Sequence, residues 1–470
     1  MIDLQHLEQY RENNRIEAKK ALGGLPHSIW ETYSAFANAL GGIILLGVEE
    51  YRDKSLHPVD LPDPEGLVQE FWDRLNDPHT ASVNILLNRD VQIETVEGKH
   101  IIVITVPRAQ RFDRPVFVEG SPRNSYRRSG EGDYRCTEDE LRAMYRDAAV
   151  KTQDMAVLEH PGPELFCRET LNRYRSRLLA CQPGGEWESL GDEDLLLRLG
   201  ALGRGKDGSL HPTAAGLLMF GSQREILREY PAYCLEYRET SGSRRAYRIR
   251  SGAGAWSGNV FDFFSRVCGR LARRFQASAL DVLRETLVNC LVNADYYGQG
   301  GVTVVKTETG ITLSNPGSFR VELNAARCGG VSDPRNGTLL KLFHMIDAGE
   351  CSGSGIPKII RICRELGWTE PKITQSFSPD LITVSLSFSP ELPQRATAAA
   401  GTKTIPTGKA VRRQLVIDYL TDHARASTAE IAAYLDLSPS TTRSYLAALV
   451  RDGIVAAEGM TQNRFYKLKA

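Results

Sequence analysis

The sequence lacks an excess of charge of either sign, and it lacks a long apolar run. Its 470 residues carry 58 basic and 58 acidic side chains, so the formal net charge is zero. This balance excludes binding to nucleic acid through bulk positive charge alone, and any such binding must come from a local patch. The longest strongly apolar stretch, residues 41–48, is far shorter than the ~20 residues that a membrane-spanning helix needs.

Paired cysteines and an N-terminal signal pattern are lacking as well. The nine cysteines are scattered, and none forms a C-x-x-C pair. An odd, dispersed set argues against a disulfide scaffold or a zinc module and is typical of a reducing compartment. The first residues, Met-Ile-Asp-Leu-Gln-His, are not typical of a signal peptide. We therefore expect a cytoplasmic protein that does not associate with a membrane.

Helical and strand patterns alternate along most of the chain, which predicts an α/β multidomain protein. At about 150 residues per domain, the length predicts about three domains. Residues 389–408 have the composition of a flexible linker, with three prolines, no periodicity and little to bury. We expect a strand at 216–221. The predicted segments are a first domain at 1–150, a connecting α/β region at 151–254, a further domain at 255–388, the linker at 389–408 and a last module at 409–470.

A helical pattern over 278–296 carries a single polar stripe. Glu285, Asn289 and Asn293 recur every four residues and therefore share one face, whereas leucine and valine fill the rest of the helix. A buried amide or carboxylate needs a partner. In one interpretation, the amides bond to neighbouring strands. In the other, Asn289 belongs to a metal–phosphate site and Glu285 deprotonates a water molecule.

Two further motifs favour the functional interpretation. Residues 349–358 are glycine-rich and run directly into a helix with Pro357 near its first turn. Exposed amides at a helix N-terminus can bind an anion, and glycines let a phosphate approach the backbone. Between the two helices, the strand at 310–313 leads to an Asn-Pro-Gly turn at 315–317. Together these motifs predict a nucleotide site.

This order of motifs resembles the GHKL ATPase superfamily, most closely its divergent branch in proteins with a Schlafen AlbA-like domain. The Ser-Asp-Pro-Arg-Asn motif of that branch is intact at 332–336, whereas Asn293-Ala294 replaces its usual His-Arg. The resemblance implies a GHKL-like α/β sandwich with ATP and Mg²⁺ as cofactors. It implies that Glu285 is the general base and that Asn289 is the magnesium ligand. The other implied cofactor-binding residues are Asn293, Asn315 in place of an adenine-binding Asp, Gly317, Gly353 and Gly355.

The N-terminal part resembles the Schlafen-type AlbA-like domain over roughly residues 5–150. The motif Ala-Phe-Ala-Asn-x-x-Gly-Gly is present at 35–42, and Gly-Val-Glu-Glu follows at 47–50. The resemblance implies an α+β domain that binds nucleic acid. Because some relatives cut RNA with three acidic residues, it also implies a catalytic and metal-binding trio of Glu12, Glu17 and Glu50, with Lys19 beside it.

Clustered carboxylates near a lysine can hold divalent ions and align a water on a phosphodiester. The alternative is a non-catalytic fold in which these acids pair with Arg15, Arg127 or Arg128. The basic run of Arg123, Arg127 and Arg128 is also expected to contact phosphates of DNA.

The last module has the order of a winged helix-turn-helix. Helical patterns at 411–420, 427–435 and 439–451 are followed by a hairpin at 453–468. In such modules the third helix enters a major groove. The alternative is a winged helix used for protein interaction or dimerisation. The predicted DNA-binding residues are Ser440, Thr441, Thr442 and Arg443 on the helix and Arg464 on the wing.

Three functions agree with these motifs. We favour an ATP-binding regulator that associates with DNA rather than RNA, in which nucleotide occupancy repositions the nucleic-acid modules. The alternatives are an ATP-gated, metal-dependent nuclease and a non-catalytic interaction scaffold. The sequence has no G-x-x-x-x-G-K-[ST] loop, which disfavours a translocating motor. A homodimer is an expectation by analogy with GHKL proteins.

Overall fold

The computed structural model describes most of the chain. The predicted linker and most of the predicted helix at 411–420 lie outside the described residues, as do the side chains of Ser440 and Thr441. The described ranges are 2–159, 162–241, 244–252, 254–350, 353–377, 379–388, 416, 420, 425–435, 439–458 and 464–468. Within these ranges no helix combines the length and the apolar character needed to cross a membrane.

The first unit is a mixed sheet covered by helices. Its helices are α1 (Ile29–Asn38), α2 (Pro64–Leu75) and α3 (Glu138–Ala148). Its strands are β1 (Ile16–Lys19), β2 (Gly42–Leu46), β3 (Val48–Glu50), β4 (Leu56–Pro58), β5 (Val91–Val96), β6 (Lys99–Val106), β7 (Tyr126–Ser129) and β8 (Gly132–Arg135). The main sheet has the order β1-β2-β6-β5, with β1 and β2 parallel. Strands β5 and β6 form an antiparallel hairpin, and Thr137 and Glu140 form a capping box at the start of α3.

The Ala-Phe-Ala-Asn-x-x-Gly-Gly motif builds the core of this unit. Asn38 at the end of α1 is fully buried, donates to the carbonyls of Val116 and Tyr126, and accepts from the Val116 amide. A side chain at Gly41 would lie 2.8 Å from the Val106 carbonyl oxygen. The motif is therefore needed for packing, because a buried amide must satisfy both its donors and its acceptor.

The connecting region is mainly helical. Its elements are α4 (Arg168–Cys181), α5 (Asp192–Leu199), α6 (Ala214–Phe220), α7 (Gln223–Glu229) and the ribbon β9 (Leu202–Arg204) with β10 (Leu210–Pro212). The predicted strand at 216–221 is wrong, because α6 occupies this stretch. Thr213 caps that helix by accepting from the Gly216 amide, and all residues of α6 are buried. A short apolar run does not distinguish a buried strand from a buried helix.

A six-stranded sheet forms the next unit. Its strands are β11 (Leu235–Ser241), β12 (Arg244–Arg250), β13 (Val302–Lys306), β14 (Gly310–Pro316), β15 (Lys372–Ser376) and β16 (Leu381–Ser387), in the order β12-β11-β13-β14-β16-β15. The predicted boundary at 254 divides this sheet, since β11 pairs with β13. One hydrophobic core extends from Phe166 to Phe388.

The helices of this unit place the polar stripe next to the sheet. They are α8 (Val260–Ala272), α9 (Ala277–Asn293), α10 (Leu323–Cys328), α11 (Gly337–His344) and α12 (Gly355–Glu365). The long helix α9 packs on β14 and contacts α8 and α12. The helix predicted at 278–296 is present but ends at Asn293, and the helix predicted after the glycine-rich segment is α12.

The C-terminal module has a small core of its own. It contains α13 (Thr428–Leu435), α14 (Pro439–Arg451) and a sheet of β17 (Ala426–Ser427), β18 (Val455–Glu458) and β19 (Phe465–Leu468), in the order β17-β19-β18. Ser427 and Glu430 form the predicted capping box of α13. Leu446 of the second of these helices and Tyr466 of the last strand belong to one hydrophobic cluster. This is the arrangement of a helix-turn-helix with a wing.

Candidate nucleotide site and nucleic-acid modules

A cavity of about 110 Å³ lies between α9, α12 and the sheet strands β14 to β16. Three of the predicted cofactor-binding residues, Asn289, Asn293 and Asn315, line it together. The first two come from the polar stripe of α9, and the third comes from the end of β14. The apolar walls are formed chiefly by Ile356, Ile359, Ile360, Ile373, Ile382 and Val384. The cavity therefore combines apolar walls with amide groups.

The polar stripe of α9 is linked by hydrogen bonds along the helix. The Asn289 Nδ2 donates to Glu285 Oε1 over 3.1 Å, and the Asn293 Nδ2 donates to the Asn289 carbonyl over 2.9 Å. Glu285 is buried, and its hydrogen bond with Asn289 connects it to the lining of the cavity. Burial raises the pKa of its carboxyl group, and the nearby Lys358 opposes the shift. A carboxylate with a raised pKa is a suitable general base.

The glycine-rich segment approaches the same stripe. A side chain at Gly355 would lie 2.6 Å from Glu285 Oε1 and 3.0 Å from Asn289 Nδ2, so glycine lets α12 begin against these two groups. At Gly353 the backbone has φ +72°, and a Cβ would lie 2.7 Å from the Val331 carbonyl oxygen. Gly355 therefore shapes the site by packing against Asn289, which lines the cavity, whereas Gly353 packs against the backbone at Val331.

The first turn of α12 already holds a carboxylate. The side chain of Glu350 accepts hydrogen bonds from Ser354 and Lys358. The hydrogen bond from Lys358 is the main reason that the pKa of Glu350 is lowered. A helix N-terminus favours negative charge, and here the protein supplies that charge itself.

The opposite wall of the cavity contains two arginines and an aspartate. Asp333 and Arg335 belong to the Ser-Asp-Pro-Arg-Asn segment, and Arg320 lies on the loop after β14. Arg335 donates to the Asn293 carbonyl over 3.1 Å and to the Ser318 carbonyl over 2.8 Å. A side chain at Gly317 would lie 2.9 Å from this guanidinium group. The Ser-Asp-Pro-Arg-Asn motif was recognised in the sequence, but the sequence pattern did not indicate a function for Asp333 or Arg335.

The first unit contacts this wall directly. Arg111 donates to Asp333, and Asp147 at the end of α3 accepts from Arg335. Farther along the same interface, Arg108 donates to the Phe319 carbonyl over 2.9 Å. The cavity wall and the AlbA-like unit are therefore joined by ion pairs and hydrogen bonds.

The same interface contains one of the predicted DNA-binding arginines. Arg127 is buried and makes a two-point contact with Asp380, at 2.6 and 2.9 Å. Arg128 is also buried, and it bonds to Glu17 and Asp133. The expectation that these two arginines contact phosphates is therefore corrected, because carboxylates of the same chain already bind them. Arg123 is the exposed member of the run, with 84% of its side chain accessible.

The N-terminal acids lie within electrostatic range of one another but do not form a metal site. Burial raises the pKa of Glu12, and the charges of Glu17 and Glu50 raise it further. Glu17 pairs with Lys19 at 2.9 Å as well as with Arg128. In the part of the chain that the structure describes, no group of three or more His, Cys, Asp or Glu residues is placed to hold a metal ion. The expected metal trio is not assembled in this geometry, because Glu17 takes the alternative pairing with Arg128, Glu12 accepts from the Ala18 amide and Glu50 pairs with Lys54.

The predicted DNA-binding residues of the last module differ in exposure. Arg443 near the start of α14 and Arg464 before β19 are exposed. Thr442 is fully buried, so the expected DNA contact by Thr442 is corrected. A helix that enters a groove presents exposed side chains to the bases, and the two arginines meet this requirement.

Fold and site together define a multidomain protein that joins an AlbA-like unit, an ATPase-like unit and a helix-turn-helix module. Family models match each unit. They are "Schlafen, AlbA_2" at residues 12–137, "Domain of unknown function (DUF8451)" at 142–236, "Putative ATP-dependent DNA helicase recG C-terminal" at 302–384 and "IclR helix-turn-helix domain" at 412–459. The chain thus contains a Schlafen AlbA_2 domain, a RecG C-terminal-like domain and an IclR-type helix-turn-helix, and the resemblance seen in the sequence is confirmed. These domains indicate a DNA-binding, ATPase-like protein.

Two solved structures are similar to parts or all of the chain. The DIP2311 protein from Corynebacterium diphtheriae is 16% identical, with 97% of this chain and 95% of that chain covered and a TM-score of 0.41. The N-terminal domain of a RecG-related protein from Nitrosomonas europaea is 33% identical, with 28% of this chain and 90% of that chain covered and a TM-score of 0.23. No curated protein matches the chain.

Proposed function

We propose that the protein is an ATP-responsive regulator that binds DNA, with ATP and Mg²⁺ in the cavity between α9, α12 and β14 to β16. The observation that carries the proposal is the convergence of Asn289, Asn293 and Asn315 on one slot with isoleucine walls. Apolar walls with a few placed polar groups are typical of small-molecule sites. A purine base is flat and carries donors and acceptors on its edge, so it fits a slot of this kind.

The residues present also fit a magnesium ion. The Asn289 amide uses its nitrogen to donate to Glu285, which leaves Oδ1 as the atom that would ligate the metal. Mg²⁺ is commonly held by one or two protein oxygens together with phosphate oxygens. When bound, the ion would neutralise phosphate charge. Glu285 lies next to this position and is assigned the role of general base.

The regulatory part of the proposal is supported by the contacts of the cavity wall. Asp333 and Arg335 line the cavity and pair with Arg111 and Asp147 of the AlbA-like unit. A ligand that changes the charge beside these two residues changes the ion pairs across the interface. Two exposed arginines, Arg443 and Arg464, supply the contacts of the helix-turn-helix module with DNA. The nuclease alternative has no comparable support, because Glu17 is held by Lys19 and Arg128.

Isothermal titration with ATP and Mg²⁺ tests the nucleotide site. Asn289→Ala is expected to weaken ATP binding at least about tenfold, the effect of losing about 1.4 kcal/mol. Asn324→Ala, on the exposed face of α10, is the matched control and should bind ATP as the wild type does. Equal affinity of the Asn289 variant and the wild type would remove ATP from the assigned cavity.

Fluorescence anisotropy with duplex DNA tests the DNA-binding part. Arg443→Ala should weaken binding and lower the dependence of affinity on salt, because one phosphate contact is lost. Arg451→Ala, at the other end of α14, is the control. DNA affinity should also differ between the ATP-bound and ATP-free protein, and equal affinity would reject the regulatory role.

A further inference from the structure

Arg320 is a buried guanidinium group in the wall of the cavity, and two of its donors are unsatisfied. Only 4% of its side chain is exposed. Its Nη1 donates to the Pro334 carbonyl over 3.3 Å, whereas its Nε and Nη2 have no hydrogen-bond partner. Nη2 lies 3.1 Å from Asp333 Oδ1, but the angle does not make a hydrogen bond. Buried N–H groups of a charged side chain are rarely left without acceptors.

The surroundings of Arg320 are short of negative charge. Asp333 is the carboxylate that it contacts, and Arg111 binds the other oxygen of the same carboxylate. Arg335 lies near by and is itself paired with Asp147. Burial lowers the pKa of Arg320, the carboxylates oppose the shift, and Arg111 and Arg335 add to it. Binding of an additional anion next to the Arg320 guanidinium group is therefore electrostatically favourable.

We propose that Arg320 is a ligand-binding residue of the cavity and that it contacts the phosphate groups of the bound nucleotide. This inference rests on the proposed ATP site. A guanidinium fork donates two parallel hydrogen bonds to a phosphate, and the Nε and Nη2 positions on one edge of Arg320 are the two without acceptors. The base then lies against the isoleucine walls, and the phosphates lie between Asn289 and Arg320, which line the same cavity.

Phosphate binding at Arg320 has a consequence for the neighbouring aspartate. A phosphate competes with Asp333 for Arg320 and repels the Asp333 carboxylate. Asp333 then keeps Arg111, which belongs to the AlbA-like unit, as its main partner. Binding of a phosphate at Arg320 therefore changes the ion pairs at the interface between the two units.

Titration of the full chain with ATP and, separately, with adenosine tests this role. Arg320→Gln should weaken ATP binding at least about tenfold and change adenosine binding less than about twofold, because only ATP carries phosphates. Arg320→Lys keeps the charge but not the fork, so its ATP affinity should lie between those of the wild type and the Gln variant. Arg361→Gln, an exposed arginine of α12, is the matched control.

The comparison of ATP with adenosine distinguishes the ways in which this inference can be wrong. An equal loss of ATP and adenosine affinity would show that Arg320 only supports the cavity, and an unchanged ATP affinity would show that it does not contact phosphate. Either result overturns this inference while ATP binding by the wild type, weakened by Asn289→Ala, retains the proposed function. If the wild type binds neither ligand, the proposed function and this inference fail together.

Discussion

The cavity and the N-terminal acidic cluster were both marked by sequence motifs, but they differ in the charge of the buried groups that lack a hydrogen-bond partner, which are Nε and Nη2 of Arg320 at the cavity and Oε1 of Glu50 at the cluster. At the cavity, Arg320 keeps two buried N–H groups without acceptors. At the cluster, Glu17 accepts from Lys19 and Arg128, and Arg128 also binds Asp133 and the Asn13 carbonyl. A motif therefore indicates which residues converge, whereas their partners decide whether a ligand is still needed.

This difference follows from the balance of charge at each place. Buried ions are stable only when they are paired and hydrogen-bonded. In the acidic cluster, Glu17 meets this condition with Lys19 and Arg128 of its own chain. The wall of the cavity shares one carboxylate, Asp333, between two guanidinium groups. We expect mutations in the acidic cluster to lower the stability of the protein. Mutations in the cavity wall are expected to weaken ligand binding.

The largest effect is expected at Glu285. Glu285→Gln should lower ATP hydrolysis by about 100-fold or more, because general bases contribute about that much, while ATP binding is kept. A base acts when deprotonated, and burial raises the pKa of Glu285. The wild-type rate should therefore rise as the pH increases past this raised pKa. A steady-state ATPase assay across pH measures both effects.

The control for this experiment is Asp281→Asn, one turn earlier on α9, where the side chain is exposed. It should hydrolyse ATP at the wild-type rate. If Glu285→Gln also did so, the cavity would be as inert as the acidic cluster, and the contrast between the two places would disappear.

A large loss of stability is expected at the acidic cluster. Arg128 has 1% of its side chain exposed, and Arg128→Ala leaves Asp133 without its buried cation and Glu17 with Lys19 alone. Breaking a buried pair in this way costs about 3–5 kcal/mol of unfolding free energy. Denaturant unfolding followed by tryptophan fluorescence, to which Trp30 and Trp72 of this unit contribute, measures the change. Arg123→Ala, in the same segment but exposed, should leave the unfolding midpoint unchanged, and equal midpoints for both variants would contradict a structural role for Arg128.

A smaller effect, on binding, is expected at the start of α12. In Gly355→Ala the added Cβ would lie 2.6 Å from Glu285 Oε1, so α12 must shift away from α9. ATP affinity should fall about tenfold, the equivalent of about 1.4 kcal/mol, in a titration. Gly269→Ala in α8 has no atom within 4 Å of the new Cβ and should leave ATP affinity unchanged. An equal loss in both variants would mean that α12 does not set the geometry of the site.

Local patterns predicted the elements of the site, but not its partners. The four-residue spacing of Glu285, Asn289 and Asn293 was sufficient to place them on one face, because helix periodicity is a local property. The burial of Arg127 depends on Asp380, 253 residues farther along the chain, and no local pattern contains that pairing. The addition of β11 to the sheet depends on pairing with β13 and is equally non-local.

The smallest effect is expected at Lys54, and it sharpens the comparison within the acidic cluster. Lys54 contacts Glu50 at 3.0 Å and Glu131 at 3.4 Å, but half of its side chain is exposed. Exposed ion pairs contribute little because water and salt screen them. Lys54→Ala should therefore unfold at the same denaturant concentration as the wild type, in contrast to Arg128→Ala. If removing Lys54 lowered the midpoint as much as removing Arg128, exposed and buried cations would stabilise the cluster equally, and burial would not explain the effect of Arg128→Ala.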